Sequence, residues 1–166
     1  MKRKILFSLL GLCSLFLLVG CNDKTEEKEE TTKNEIKTTM TCSKDFYLFH
    51  SRQRLENTVY VDSDNKLVKY VAKEIYFEFD SEEEKNRTCE GLTDEANADT
   101  KKDYLAATAE CSDSVSSIYT YDVSKLPSKS YIPKEEIKDN LDDNYKLDLD
   151  NYKTTLTNKQ YTCIEE

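Results

Sequence analysis

Glycine is nearly missing from this chain: there are three in 166 residues, and Gly11 and Gly20 fall in the first twenty, so only Gly91 remains beyond them. A phosphate-cradling loop needs several glycines for close backbone approach, so the GxxxxGK[ST] and GxGxxG nucleotide loops are excluded. Histidine occurs once, at His50. That excludes an HExxH metal helix. It also leaves any Ser/His/Asp site to His50 and its sequence neighbour Ser51, whereas a triad converges from separated segments. No cysteine pair has the C-x2-C spacing of a metal knuckle. Tryptophan is absent, and Pro127 and Pro133 are the only prolines. With so little glycine and proline, turns fall to Asp, Asn and Ser, whose side chains hydrogen-bond the local backbone.

What is present begins with Met1-Lys2-Arg3-Lys4, an apolar run from Ile5, and Leu18-Val19-Gly20-Cys21. The run is shorter than the roughly 20 residues of a membrane span and follows a basic head, which is signal-peptide architecture. Small Gly20 suits the cleaved bond, and the Cys21 thiol can carry a diacylglycerol as a thioether, so the segment reads as a bacterial lipobox. The expected order is a lipoprotein signal peptide over 1–20, lipidated Cys21 with a disordered acidic tether over 21–39, and an ectodomain over 40–166. Between 22 and 39 only Ile36 is aliphatic, too little to offset chain entropy by burial. Two or more acyl chains on Cys21 would hold the protein to the bilayer where one alone binds reversibly.

Residues 1–20 contain three of the 24 basic side chains and none of the 33 acidic ones, so the remainder carries 21 against 33, a formal charge of −12. Such a field repels nucleic acid, anionic lipid heads and anionic wall polymers; it leaves cationic partners open, and its first reading is that it keeps a tethered protein soluble. Cys13 lies in the signal and Cys21 takes lipid, leaving Cys42, Cys89, Cys111 and Cys163 for two disulfides outside the reducing cytoplasm. Three connectivities are possible. The preferred one joins Cys89 to Cys111 and Cys42 to Cys163, linking neighbouring elements and clamping the domain's ends.

Residues 41–49 are rich in strand formers, and Leu55, Asn57, Val59 and Val61 alternate with polar neighbours up to a turn over 62–66. Beyond it, Leu67, Val71, Ile75, Phe77 and Phe79 are assigned to the inner face and Tyr60, Tyr70 and Tyr76 to the other, giving an antiparallel meander. Ser81-Glu82-Glu83-Glu84 is a capping box that starts a helix, with Cys89, Leu92 and Ala96 on its inner stripe. Residues 104–111 and 115–123 read as a second hairpin. Ile137 and Leu141 then face inward from a short helix after Pro133, and Asp148 caps a last helix through Tyr152 and Leu156. An extended tail over 160–164 brings Cys163 to its partner. The fold class is α+β: a single domain with an antiparallel sheet, two or three helices packed on one side, and disulfide staples.

Asp62, Asp64 and Asn65 open like a calcium loop, but Leu67 replaces the required glycine and Lys73 the closing glutamate; residues 142–144, and Asp148 with Asp150, fail in the same way. No metal site, cofactor or catalytic set is therefore assigned. Lys69-Tyr70, the closing Lys-Gln-Tyr-Thr-Cys, the lipobox and the acidic spacer resemble the YehR-like small envelope lipoproteins. The resemblance implies a lipid-anchored domain facing outward from the cell membrane. The leading expectation is a non-enzymatic binding or accessory domain whose partners are the bilayer, through Cys21, and a surface protein or cationic ligand. One alternative is an inhibitor or scavenger of cationic proteins such as lysozyme, and another is a secreted hydrolase using carboxylates.

Overall fold

The computed structural model describes residues 35–48, 51–99 and 101–166. Their elements run β1 (Thr38–Leu48), β2 (Ser51–Val61), β3 (Leu67–Phe77), α1 (Glu82–Asp99), β4 (Leu105–Cys111), β5 (Val115–Asp122), α2 (Glu135–Lys138), α3 (Leu149–Asn158) and β6 (Thr162–Glu165). The expected signal segment, Gly20, Cys21, the tether up to residue 34 and His50 lie outside the described residues. All strand pairs are antiparallel, in the sheet order β4-β5-β3-β2-β1-β6. The class is α+β, as expected. The sheet starts two residues before the anticipated boundary, because Thr38 pairs with Val61 and Thr39 exchanges backbone hydrogen bonds with Glu166.

One face of the sheet is covered. Met40, Cys42, Val59, Val61 and Tyr70 from β1 to β3 share a buried cluster with Ile137 of α2 and with Tyr152 and Leu156 of α3. By register Tyr70 lies beside Tyr121, which lies beside Leu105, so α1 buries Leu92 and Ala96 on the same face over β4 and β5. The caps follow the sequence. Ser81 Oγ accepts the Glu84 N–H at 3.2 Å, and Asp148 Oδ1 accepts the Asn151 N–H at 3.0 Å, each satisfying an N-terminal donor that the helix leaves unpaired.

The inner and outer assignment of β3 is corrected. Tyr60 pairs with Lys69 but Val61 pairs with Leu67, so Val68 is an extra residue that breaks the alternation. Leu67 and Tyr70 therefore both point inward. Beyond the bulge, Tyr70, Ala72, Glu74 and Tyr76 take the covered face, while Val71, Ile75 and Phe77 share the open face with Tyr60. Tyr70 is fully buried, its hydroxyl donating to Asn57 Oδ1 at 2.6 Å.

A local repeat that the sequence reading missed joins the C-terminal segment to the sheet. Asp62 Oδ1 accepts the N–H groups of Asp64 and Lys66, both at 2.9 Å; Asp142 Oδ1 accepts those of Asn144 and Lys146, both at 2.8 Å. Asn65 and Tyr145 occupy the same left-handed position, at φ 59° and 62°. The twin turns, DSDNKL and DDNYKL, then exchange hydrogen bonds: Leu67 N–H to the Tyr145 carbonyl and Leu147 N–H to that of Asn65, each 2.8 Å. Asp62 and Asp142, each opening a segment weighed as a calcium loop, thus accept backbone donors.

Two bridges lock the arrangement, Cys42–Cys163 and Cys89–Cys111, the pairing preferred from sequence. The first joins directly opposed residues of β1 and β6, the second ties α1 to the last residue of β4. With sequence separations of 121 and 22, the chain-entropy view assigns them about 5 and about 3 kcal/mol. Replacing Cys42 and Cys163 together by alanine is expected to lower unfolding stability by about 2–5 kcal/mol in urea titrations, more than the Cys89/Cys111 double replacement does. Gly91 sits mid-helix with nothing within 4 Å of an added Cβ. Gly91→Ala is therefore expected to raise stability by about 0.5–1 kcal/mol, seen as a higher thermal midpoint.

Candidate functional site

The open face of the sheet is covered by its own cations. Lys69 Nζ lies 3.7 Å from the centre of the Tyr60 ring, and the Arg52 and Arg54 guanidinium carbons lie 5.0 and 6.0 Å from that of Phe77. Asp45 holds both arginines, at 2.7 Å to Arg52 and 2.6 Å to Arg54. Its carboxyl is lowered below the usual range, chiefly by the Arg54 hydrogen bond. Long side chains laid over rings in this way occupy the π-faces a flat ligand would use.

The covered face has a gap. The α2/α3 segment packs over the end of the sheet near Val59 and Tyr70, and α1 packs over β4 and β5. Between them Gln53, Leu55, Glu74 and Tyr76 face the same side. At the far end of this row, away from α2 and α3, a pocket of about 200 Å³ opens, lined by Leu48, Ser51, Tyr76 and Phe79 and by Glu84, Arg87 and Thr88 of α1; of the row itself only Tyr76 reaches it. Farther along that flank of α1, Glu95 acts on Tyr76 and Tyr119, and Asp99 on Tyr119 and Tyr121. The spacing of Glu84, Thr88, Glu95 and Asp99 is helical, a polar flank beside the Leu92/Ala96 stripe.

The Tyr76 hydroxyl donates to Glu74 Oε2 at 3.1 Å. Burial, reinforced by the Glu74 carboxylate, pushes the Tyr76 phenol up to about 12. Burial, then Glu95, Asp99 and Glu74, raises Tyr119. Gln53 is 4 % exposed and its Oε1 has no hydrogen-bond partner; Ser117, paired with Glu74 in register and 1 % exposed, has an unpartnered Oγ. Among the described residues, no ion pair engages Glu74 or Glu95, and no group of three or more His, Cys, Asp or Glu side chains is placed to hold a metal ion. The pocket itself offers the Tyr76 and Phe79 rings beside Leu48, the Ser51 and Thr88 hydroxyls, and one side chain of each charge, Glu84 and Arg87.

Of the residues singled out in the sequence, Cys42, Cys89, Cys111 and Cys163 form the staples and none lines the pocket. Tyr76 is the one tyrosine from the expected sheet-face set that reaches it. Gln53, Glu74, Glu95 and Ser117 were not anticipated. The alternation through Val61, Val59, Asn57 and Leu55, continued backward by one step, would have placed Gln53 inside. No protein-family model, curated protein or solved structure matches this chain.

The buried tyrosines fix the alkaline limit of the fold. Tyr70 and Tyr152 are pushed far up by burial, and Tyr76 and Tyr121 up to about 12 from an ordinary 10.0. A group that holds its proton more tightly when folded contributes stability that is complete below its unfolded pKa and is lost as pH rises through the folded one. Stability is therefore expected to decline above about pH 10 and fall steeply towards 12. In an absorbance titration of tyrosinate followed beside circular dichroism, the Tyr70 and Tyr152 fraction should ionise only as the structure is lost.

Proposed function

We propose that this chain is a bacterial surface lipoprotein, cleaved behind Gly20 and anchored through acyl chains on Cys21, whose disulfide-bridged domain binds a ligand without transforming it. The observation that carries the reading is the pair of bridges. All four cysteines beyond the lipobox are joined two by two, which suits an oxidising, extracytoplasmic location reached by export. No described helix is long and apolar enough to cross a membrane, so in this reading attachment falls to the lipid on Cys21. The resemblance to YehR-like lipoproteins points the same way. The pocket supports binding: it offers the Tyr76 and Phe79 rings and hydrogen-bonding side chains in a chain that carries −12 formal charge beyond residue 20, a charge suited to a cationic surface partner.

Native mass spectrometry of the N-terminus should find a diacylglyceryl-modified Cys21 as the first residue, and Cys21→Ala should release the domain from membranes. An unmodified thiol there, or a chain still beginning at Met1, would overturn the anchor. Crosslinking on intact cells should enrich a surface protein or peptide above background, and its repeated absence would overturn the binding role.

A further inference from the structure

Going beyond the surface partner of that reading, we propose that the pocket between α1 and the Leu48, Ser51 and Tyr76 ends of the first three strands takes one free α-amino acid with an apolar side chain. The groups that select this ligand all stand in the pocket's own lining. Glu84 and Arg87 supply one charge of each sign from a single turn of α1, a spacing that sets their Cβ atoms about 5–6 Å apart. A free amino acid carries ammonium and carboxylate on one carbon, so it brings both charges within reach of that turn. A peptide N-terminus offers only the first, and a peptide C-terminus only the second.

The hydrogen-bonding groups divide in the same way. Thr88, one turn on from Glu84, spends its hydroxyl proton on the Glu84 carbonyl at 2.9 Å, so its oxygen is left to accept. An ammonium has three donors to share between that oxygen and the Glu84 carboxylate. Arg87 serves the other end. Its contact with Glu83 is 3.5 Å long between two exposed side chains, a solvated pair that contributes little and yields to a better-placed carboxylate. A guanidinium holds such a carboxylate with two parallel N–H donors.

Leu48, Tyr76 and Phe79 complete the wall and offer an apolar side chain its contacts. The volume of about 200 Å³ lies below the roughly 300–1,000 Å³ of drug-sized ligand sites, so a single amino acid suits it better than a nucleotide or a cofactor. Other occupants leave a charge unanswered. A cation alone would be set against Arg87, an anion alone against Glu84, and a neutral apolar molecule would desolvate both without pairing either. Among the described residues no group of three or more His, Cys, Asp or Glu side chains is placed to hold a metal ion.

The test is isothermal calorimetry on the purified full chain, bridges intact in neutral detergent, titrated with leucine, leucine methyl ester, N-acetyl-leucine, glycine and phosphocholine. Leucine should bind saturably and at least about tenfold more tightly than the ester, which lacks the carboxylate, or the N-acetyl form, which lacks the ammonium. Glycine, without the apolar side chain, should also bind at least about tenfold more weakly. Arg87→Gln should weaken leucine binding by about tenfold and leave the ester unchanged, whereas Glu84→Gln should weaken leucine binding and leave N-acetyl-leucine unchanged. Glu56→Gln, on the open face, should change nothing. Because Arg87 is exposed, its variant should keep the wild-type circular dichroism and thermal midpoint, so that its affinity reports the pocket alone. No saturable heat with leucine, equal binding of leucine and either blocked form, tighter binding of phosphocholine than of leucine, or wild-type leucine affinity in Arg87→Gln would overturn the proposal. Capture of a surface protein by a chain that ignores leucine would overturn it while leaving the binding role intact.

Discussion

One extra residue in β3 decides which side chains this protein shows to its interior. If Val68 did not bulge, Leu67 opposite Val61 would carry Val71, Ile75 and Phe77 inward, and the core would be a conventional aliphatic layer. With it, the inward set becomes Tyr70, Ala72, Glu74 and Tyr76. A sheet side chain changes face with every one-residue shift, so a single insertion moves the whole downstream strand. The consequence at one end is a tyrosine-centred core, with Tyr70 hydrogen-bonded to Asn57 and stacked 5.6 Å from Tyr121. At the other end it places a carboxylate and a phenol on a face that the helices only partly cover.

That partial cover has a geometric cause. Helices α1 and α3 have 18 and 10 residues and α2 has 4, set against a six-stranded sheet whose three longest strands each have 11. At 1.5 Å per helical residue against about 3.3 Å per strand residue, α3 spans less than half the length of the strands it packs against. The bridge at Cys42–Cys163 and the twin aspartate turns hold α3 at the Val59 end, while the Cys89–Cys111 bridge holds α1 over the opposite edge. The gap lies where neither reaches, and its floor keeps the polar residues that the bulge delivers there.

Much of the framework was legible because its signals are local. Ser81 and Asp148 announce helix starts through the donors they satisfy, the alternation in β2 shows its inner face, and Ser112-Asp113-Ser114 marks a hairpin. The cysteine pairing followed from elements that had already been placed in order. What was not legible depends on relations between distant segments. The phase of β3 depends on a mismatch with β2 that no property of Val68 declares. The equivalence of residues 62–67 and 142–147 shows only when each turn is seen to bind the other. The pocket assembles Leu48, Ser51, Tyr76 and Glu84 from four elements, and each alone reads as an ordinary strand or helix residue.

The two faces of the sheet also divide the chain's charge differently, and that division bears on which one can bind. On the open face Arg52, Arg54, Lys69 and Lys73 oppose Asp45 and Glu56 across β1 to β3, and Arg52, Arg54 and Lys69 lie over rings or against Asp45. Binding there would first have to displace contacts already made. On the covered side α1 contributes seven acidic residues against Lys85 and Arg87, and Glu82 and Glu83 in its first turn hold those two cations. The acidic excess of α1 thus lies on the pocket's side of the sheet, while the pocket's own lining carries one side chain of each charge, Glu84 and Arg87. Long-range attraction can steer a cation to that side, and the lining then decides which group fits.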